Sequence, residues 1–322
     1  MFNFTIHKPN EDNFNYNKLW DFVSLGAGPA GLNAGLYAKR KGLETLIVSK
    51  DIGGQLNNTE EVDNYLGFEM INANNLIDEF INHIDSLKIP KLIGFNISSV
   101  KKENGIFQIG LSNGKYIKAK TVLYALGGNP RKLQIEGEKK FSGKGISYCV
   151  TCDGPFFKDK LVVVAGGGNS AVEAAIDLSK IAKEVFIIHR SQFRADKILL
   201  DKMNSKKNIK VYLETTINAI FGNDKIEHLN ITDNFTKEST NFYLDGLFIE
   251  IGTIPNSYLI SDFVKTNERN EIVVKLDQST NVEGLYAAGD VTFEPEKQII
   301  ISAGAGAKAA LSAAKYLNKK GD

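Results

Sequence analysis

The sequence predicts an α/β fold of two three-layer domains, the second inserted into the first. Three observations lead there: a β-α-β pattern that occurs twice, glycine and proline breaks that bracket the second copy, and a length of 322 residues, which suits two domains. The first copy, "DFVSLGAGPAGLNAGLYAKRKGLETLIVS", starts at Asp21, and the second, "KLVVVAGGGNSAVEAAIDLSKIAKEVFIIHR", starts at Lys160. Each reads as a short apolar strand, a glycine turn, an amphipathic helix and a second apolar strand. "LYALGGNPRK" breaks at Gly127-Gly128-Asn129-Pro130, and "LFIEIGTIPN" breaks at Gly252 and Pro255-Asn256; both read as linkers. The expected domains are therefore 1–128 with 256–322, and 129–255 between them.

Composition narrows the function classes. The apolar fraction of 43% is enough for a sizeable core. With 39 basic and 38 acidic residues the formal charge is +1, so nothing electrostatic draws the chain to nucleic acid or an anionic membrane. No run of about 18 apolar residues occurs, so no bilayer span is expected. The polar opening "MFNFTIHKPNEDNFNYNKLW" lacks the pattern of a secretory signal. It reads either as an arm of about 20 residues ahead of the first strand or as a segment pinned by Phe2, Phe4, Phe14, Tyr16 and Trp20. Two cysteines and no export signal point to a cytoplasmic protein, where a C-x-x-C is redox-active or metal-binding more often than a staple.

Gly26-Ala27-Gly28-Pro29-Ala30-Gly31 fits G-x-G-x-x-G between a strand and a helix. The first glycine permits the turn, the second a close approach of pyrophosphate, and the third tight helix–strand packing. This is a Rossmann-like dinucleotide loop, against the alternative of a structural turn. An acid about 20 positions on should bind the ribose. Ser49 and Lys50 occupy that place and Glu44 comes too early, so the ribose contact is left open. "GIFQIGLSNGKYIKAKTVLYA" reads as strands with a turn at Asn113-Gly114.

Cys149 and Cys152 are the only cysteines and form one C-x-x-C. Such a pair can close a reversible disulfide. Half a zinc site is the competing reading, but no third cysteine exists and His7, His83, His189 and His228 are scattered, so no metal is expected. Asp153 follows the pair and can relay a proton or cap the next turn. Gly166-Gly167-Gly168-Asn169-Ser170-Ala171 fits G-x-G-x-x-A, the variant common for NAD(P). His189, Arg190 and Arg194 stand where an acid would bind a ribose 2′-hydroxyl; cations there suit a 2′-phosphate, or form a solvated basic loop. Near the C-terminus, "GLYAAGDV" carries Gly289 and Asp290 to a loop before the small-residue helix "KQIIISAGAGAKAALSAAKYL". Asp290 is placed to accept a ribitol or ribose hydroxyl, unless the segment is only a packing seam. A flavin site, a nicotinamide site and a dithiol together make an electron relay.

Through GAGPAG, "GGQL" at Gly53–Leu56, "CVTCDG", "GGGNSA", "HR", "AAGD" and the Lys297-Gln298 pair, the chain resembles the low-molecular-weight thioredoxin reductases from Asp21 to Leu317. The glutathione-reductase-like enzymes carry their cysteines in the other domain. The resemblance implies FAD along Gly26, Gly28, Pro29, Ala30, Gly31, Gly54, Gln55, Leu56, Asn64, Gly289, Asp290, Lys297, Gln298 and Ile299. It implies NADPH or NADH at Gly166, Gly168, Asn169, Ser170, Ala171, His189, Arg190 and Arg194. Cys152 would face the flavin, Cys149 would attack the disulfide of thioredoxin or a similar protein, and Asp153 would be the acid. The family is homodimeric, and the two linkers would let the inserted domain rotate.

Two departures matter. The family's H-R-R-x-x-x-R reads His189-Arg190-Ser191-Gln192-Phe193-Arg194 here, one arginine fewer and one residue shorter. Losing a charge-assisted contact costs about 1.5–3 kcal/mol, which keeps NADH, and ferredoxin or flavodoxin, open as donors. "CDGPFFK" and "GGGNSAVEAAIDL" also resemble the flavoprotein component of alkyl hydroperoxide reductase. That family has added N-terminal thioredoxin-like domains; this chain has no further cysteine, so its electrons are expected to go to a separate protein. A flavin-bound dithiol sensor without turnover is the reading from another class. Arg131, Lys132, Lys139, Lys140 and Lys144 lie near the cysteines as a solvated surface or a greeting for an acidic partner.

Overall fold

The computed structural model describes residues 14–321. The chain forms two compact units, Met1–Asn129 with Ile254–Asp322, and Pro130–Thr253. Of the aromatics expected to pin the N-terminal arm, Phe2 and Phe4 lie outside the described residues. Phe14 packs edge-on to Tyr16 with ring centres 4.9 Å apart and stacks on Trp20 at 6.1 Å. Phe14 and Tyr16 flank the core cluster that contains Trp20, so this part of the arm is pinned.

The first unit begins with β1 (Leu19–Ala27), α1 (Pro29–Arg40) and β2 (Thr45–Ile52). Then come α2 (Ala73–Ser86), β3 (Lys91–Ile93), β4 (Ile97–Glu103), β5 (Ile106–Leu111) and β6 (Tyr116–Tyr124). In β1, Phe22, Val23 and Leu25 are fully buried, the continuous apolar run of a strand covered on both faces. It pairs in parallel with β2 on one side and β6 on the other. The loop after β1 therefore sits where the strand order reverses, the usual ligand crevice of such sheets. Pro29 opens α1 and Lys39 and Arg40 close it, in keeping with the helix dipole. β5 and β6 meet as an antiparallel hairpin around Asn113-Gly114, as expected.

The second unit contains β7 (Ile146–Ser147), α3 (Val150–Asp153), β8 (Leu161–Ala165), α4 (Asn169–Leu178) and β9 (Glu184–Ile188). It continues with α5 (Lys197–Asn204), β10 (Ile209–Tyr212), β11 (Thr215–Gly222), β12 (Ile226–Asp233), β13 (Ser239–Tyr243) and β14 (Gly246–Ile249). Its main sheet has the order β7-β14-β8-β9-β10, all parallel. Val162, Val163 and Val164 are fully buried at its centre. β8 lies between β9 and β14, so the second glycine loop also leaves at a reversal of strand order. β11, β12 and β13 form a separate antiparallel sheet.

Back in the first unit, β15 (Leu285–Ala287) pairs in parallel with the C-terminal half of β6, and α6 (Ile299–Gly321) crosses onto α1. Both units are thus Rossmann-like, and the predicted α/β class stands. The α1–α6 contact is unusually close. Ala309, Ala310, Ala313 and Ala314 share a buried cluster with Ala34 and Ala38, and a side chain on Gly306 would overlap the carbonyl of Ala30. No helix among the described residues is long and apolar enough to cross a membrane.

Gly304 and Gly306, both in α6, make a paired test. Gly306→Ala should lower stability by about 1–3 kcal/mol, because α6 must lift off α1. Gly304 has nothing within 4 Å of where a side chain would start, so Gly304→Ala should gain about 0.5–1 kcal/mol. Thermal melts of the two variants check the contrast.

Candidate functional site

In the first unit the structure gathers the predicted flavin-side residues around the start of α1. Near the end of β1, Gly26 has φ +109°, and a side chain there would strike the carbonyl of Ala125, just past β6. Leu32 N–H donates to Gly28 O at 2.9 Å, starting α1 so that its first amides point out of the loop. Gly54 lies opposite: a side chain on it would reach the Gly28 Cα at 3.4 Å. The backbones of Gly28 and Gly54 thus approach each other with no side chain between them. The turn Gly54–Asn58 is held by Gln55 Nε2, which donates to Gly128 O, and by Asn57 Nδ2, which donates to Ile52 O at 2.8 Å. Leu56 is buried beneath it.

Gly289 approaches Ala30 closely, so Asp290 stands beside the first glycine loop. Ser302 Oγ donates to its Oδ1 at 3.3 Å. Burial pushes the Asp290 carboxyl above the usual range, opposed by Lys297 and the Ser302 hydroxyl. Asn64 Nδ2 donates to Gln298 Oε1 at 3.3 Å, which joins two residues far apart in sequence, and Ile299 packs against the cluster holding Leu56. Lys297 is different. Its Nζ donates to Glu271 Oε1 at 3.1 Å and to Thr292 O at 2.6 Å, so it braces the Asp290 loop.

Asp51 escapes the sequence reading. β2 runs three residues further than its buried stretch, to Ile52, which pairs with Ala27 across a bulge. This delivers Asp51 next to the glycine loop, one residue beyond the place expected of a ribose acid. Loss of surrounding water raises its carboxyl pKa, moderated by Lys50 and the Gly54 N–H.

The second loop repeats the first. Gly166 has φ +155°, and a side chain on it would strike the carbonyl of Glu250, just past β14. Val172 N–H donates to Gly168 O at 3.2 Å, and Ala171 is buried under the turn. Nothing lies within 4 Å of where a Gly168 side chain would begin, so the approach to the amides of Asn169 and Ser170 is open. Asn169 Nδ2 donates to Asp196 Oδ2 at 2.8 Å, and Asp196 N–H donates back to Asn169 Oδ1 at 2.9 Å. Arg194 N–H donates to Gly167 O at 2.8 Å.

Arg190 and Arg194 are exposed, and neither is in an ion pair among the described residues. His189 is 7% exposed and its ring lies against Gly167, so it supports the loop from below. Burial, then Arg194 and Arg190, lower its pKa. Glu250 reads in sequence only as the approach to a linker. In the structure its carboxyl accepts a hydrogen bond from the Ser170 hydroxyl, and burial pushes its pKa up to about 7.

Cys149 and Cys152 form a disulfide across the start of α3, with Cα atoms 5.3 Å apart. Cys152 N–H donates to Cys149 Sγ at 3.2 Å, and Asp153 N–H donates to Cys149 O at 3.0 Å. Upstream, the buried Glu138 carboxylate accepts from Tyr148 OH at 2.9 Å and from the N–H groups of Leu133 and Gln134 at 3.1 and 2.7 Å. The segment leading to the cysteines is thereby fixed.

Two dinucleotide loops and a closed C-x-x-C define a class, and the chain belongs to the pyridine nucleotide-disulphide oxidoreductase family, whose profile matches residues 20–310. Within it the chain is of the low-molecular-weight thioredoxin reductase type. It is similar to the thioredoxin reductase of Streptococcus pyogenes MGAS5005, with 32% identity and a TM-score of 0.90 over 94% of this chain and 99% of that one. A thioredoxin reductase from Giardia duodenalis matches at 29% identity and a TM-score of 0.88, again over 94% and 99%. One component of the alkyl hydroperoxide reductase of Staphylococcus aureus strain MSSA476 is 39% identical over 305 residues, 94% of this chain. The chain spans 60% of that relative's length. The chain carries the dithiol as a disulfide, and the family implies FAD and a nicotinamide nucleotide. The open glycine backbones and outward helix amides fit both.

The lowered His189 pKa has a direct readout. Its ring protons should titrate below the usual value of about 6.5 in NMR spectra, and Arg194→Gln should move the midpoint up. Because the folded form disfavours the charged ring, stability carried here rises with pH from the lowered midpoint to about 6.5.

Proposed function

We propose that the protein is an NAD(P)H-dependent, FAD-dependent disulfide reductase that uses Cys149 and Cys152 to reduce thioredoxin or a similar small disulfide protein. The observation that carries this reading is the Cys149–Cys152 disulfide, held in the same compact unit as the second glycine loop. Bound FAD would supply the step that a dithiol alone cannot, taking a hydride from the nicotinamide and returning two electrons to the disulfide.

The chain's residues would do the rest. Gly26–Gly31 and Gly54–Leu56 would hold the FAD pyrophosphate and the neighbouring chain, Asp290 and Asp51 sugar hydroxyls, and Asn64, Gln298 and Ile299 the ring end. Gly166–Ala171 would hold the nicotinamide dinucleotide. Arg190 and Arg194 would offer two charges to a 2′-phosphate, which favours NADPH over NADH while the missing arginine narrows the margin. On reduction, Cys152 N–H would stabilise a thiolate on Cys149, which fits Cys149 as the residue that attacks the partner disulfide. Cys152 would then close the bond again, with Asp153 supplying protons.

The 39% identity to part of an alkyl hydroperoxide reductase supports a second reading, in which the same dithiol serves a hydroperoxide-reducing partner. In either case the protein would work in the cytoplasm as a homodimer.

Anaerobic mixing of the FAD-loaded protein with NADPH, NADH or reduced ferredoxin tests the donor through loss of flavin absorbance. Rapid loss with NADPH is expected; loss with ferredoxin alone would overturn the nucleotide reading. Arg190→Ala should weaken NADPH binding about ten- to a hundred-fold while changing NADH little. Cys149→Ser and Cys152→Ser should each abolish thioredoxin reduction yet leave flavin reduction by the nucleotide intact. A partner disulfide still reduced at steady state by either variant would remove the dithiol from the pathway.

A further inference from the structure

The two glycine loops are internal repeats, and their matching backbone bonds expose one paired difference. Ala125 N–H donates to Leu25 O at 2.9 Å, and Glu250 N–H donates to Ala165 O at 2.8 Å. Each residue presents its carbonyl to the first glycine of the neighbouring loop. Ala125 and Glu250 are thus equivalent positions. Within the loops, Ala30 of the first corresponds to Ser170 of the second. The first unit fills this place with two alanines, both in one buried apolar cluster. The second fills it with a serine and a glutamate joined by a hydrogen bond. An acid has therefore been introduced, together with its hydroxyl partner, at the mouth of a loop that receives an anion.

From this geometry we propose that Glu250 is a proton-linked positioning residue of the second loop: dinucleotide binding draws one proton from solvent onto its carboxyl, and Ser170 holds the carboxyl in place. The inference rests on the reading of that loop as the nicotinamide nucleotide site. A carboxylate beside an incoming pyrophosphate is repelled, whereas the neutral acid is not and can also donate a hydrogen bond. The pKa of about 7 in the free loop makes the switch accessible near neutrality. An added anion can only raise it further.

The surrounding groups act on the same ligand and need separating. On α4, Ser170 contacts the carboxyl and Glu173 is exposed one turn on. From the segment after β9 come His189, Arg190, Arg194 and Asp196, and beyond β10 lies Glu214, which accepts from Gln192 Nε2 at 3.0 Å. Beside β14, Arg131 approaches Gly252 and donates its backbone N–H to Gly252 O at 2.8 Å, and Tyr148 follows β7. Tyr148 is pushed upward in pKa and stays protonated. His189 titrates below its ordinary value. Near pH 8 neither ring changes charge, which leaves Glu250 as the group to follow.

Calorimetric titration of the oxidised, FAD-loaded protein with NADP+ and with NAD+, at about pH 8 in two buffers of different ionisation enthalpy, counts the protons taken up. The expected result is net uptake of a fraction of a proton per nucleotide, with the dissociation constant rising up to about tenfold per pH unit above pH ~7. Glu250→Gln should bind with no uptake and a flat pH profile. Ser170→Ala, which removes the bond that favours the carboxylate, should move the uptake to higher pH. A bond needed only for folding would change the melting temperature and leave proton count and pH profile as they are. Binding without uptake, or uptake unchanged in Glu250→Gln, overturns the inference while leaving the nucleotide site standing. Binding of neither nucleotide overturns both.

Discussion

The approach of one glycine to one carbonyl organises each half of this protein. Gly26 passes so near the Ala125 carbonyl, and Gly166 so near that of Glu250, that no side chain fits between. The turn can then be tight enough for the helix to start immediately and aim its unpaired amides at whatever lies outside the sheet. The strand order around β1 and β8 places both loops at a crevice. Everything assembled around them, from Asp290 and Gln298 in one unit to Arg190 and Arg194 in the other, depends on that turn.

The dithiol uses a different device. α3 is too short to contribute much as a helix, and the cysteines are held by local bonds: the Cys152 amide on Cys149 Sγ, the Asp153 amide on Cys149 O, and Ser147 Oγ, which accepts from Cys149 N–H at 3.0 Å. Behind them, Glu138 ties Tyr148 to Leu133 and Gln134. A buried carboxylate with three donors is well compensated, and it anchors the chain just ahead of the reactive pair. The backbone that carries the disulfide is thus tied on both sides of Cys149 by local hydrogen bonds.

Repetition within one chain allows the second unit to be read against the first. The scaffold is the same, and the differences carry the chemistry. Where the first unit has alanines, the second has Ser170 and Glu250; where β2 carries Asp51 near its end, β9 is followed by His189 and Arg190. Acid after the strand suits a ribose hydroxyl and cation suits a phosphate. The two loops therefore share a backbone and differ in the charges set around it.

The α/β class, the two glycine loops and the redox pair were legible in the sequence because each depends on a local rule: alternation of apolar runs, glycine spacing, and cysteine spacing. Other features needed the tertiary structure. That β2 extends past its apolar core to deliver Asp51 depends on pairing between Ala27 and Ile52, which residue type does not reveal. The Asn64–Gln298 contact joins positions 234 residues apart. Lys297 turned out to brace Glu271 and Thr292 because folding sets those acceptors within its reach. His189 lies beneath the loop and Glu250 beside it for the same reason. Sequence determined which local turns and strands could form; only the packed sheets decided which side chains met, because partners, burial and electrostatic surroundings belong to neighbours that are distant in the chain.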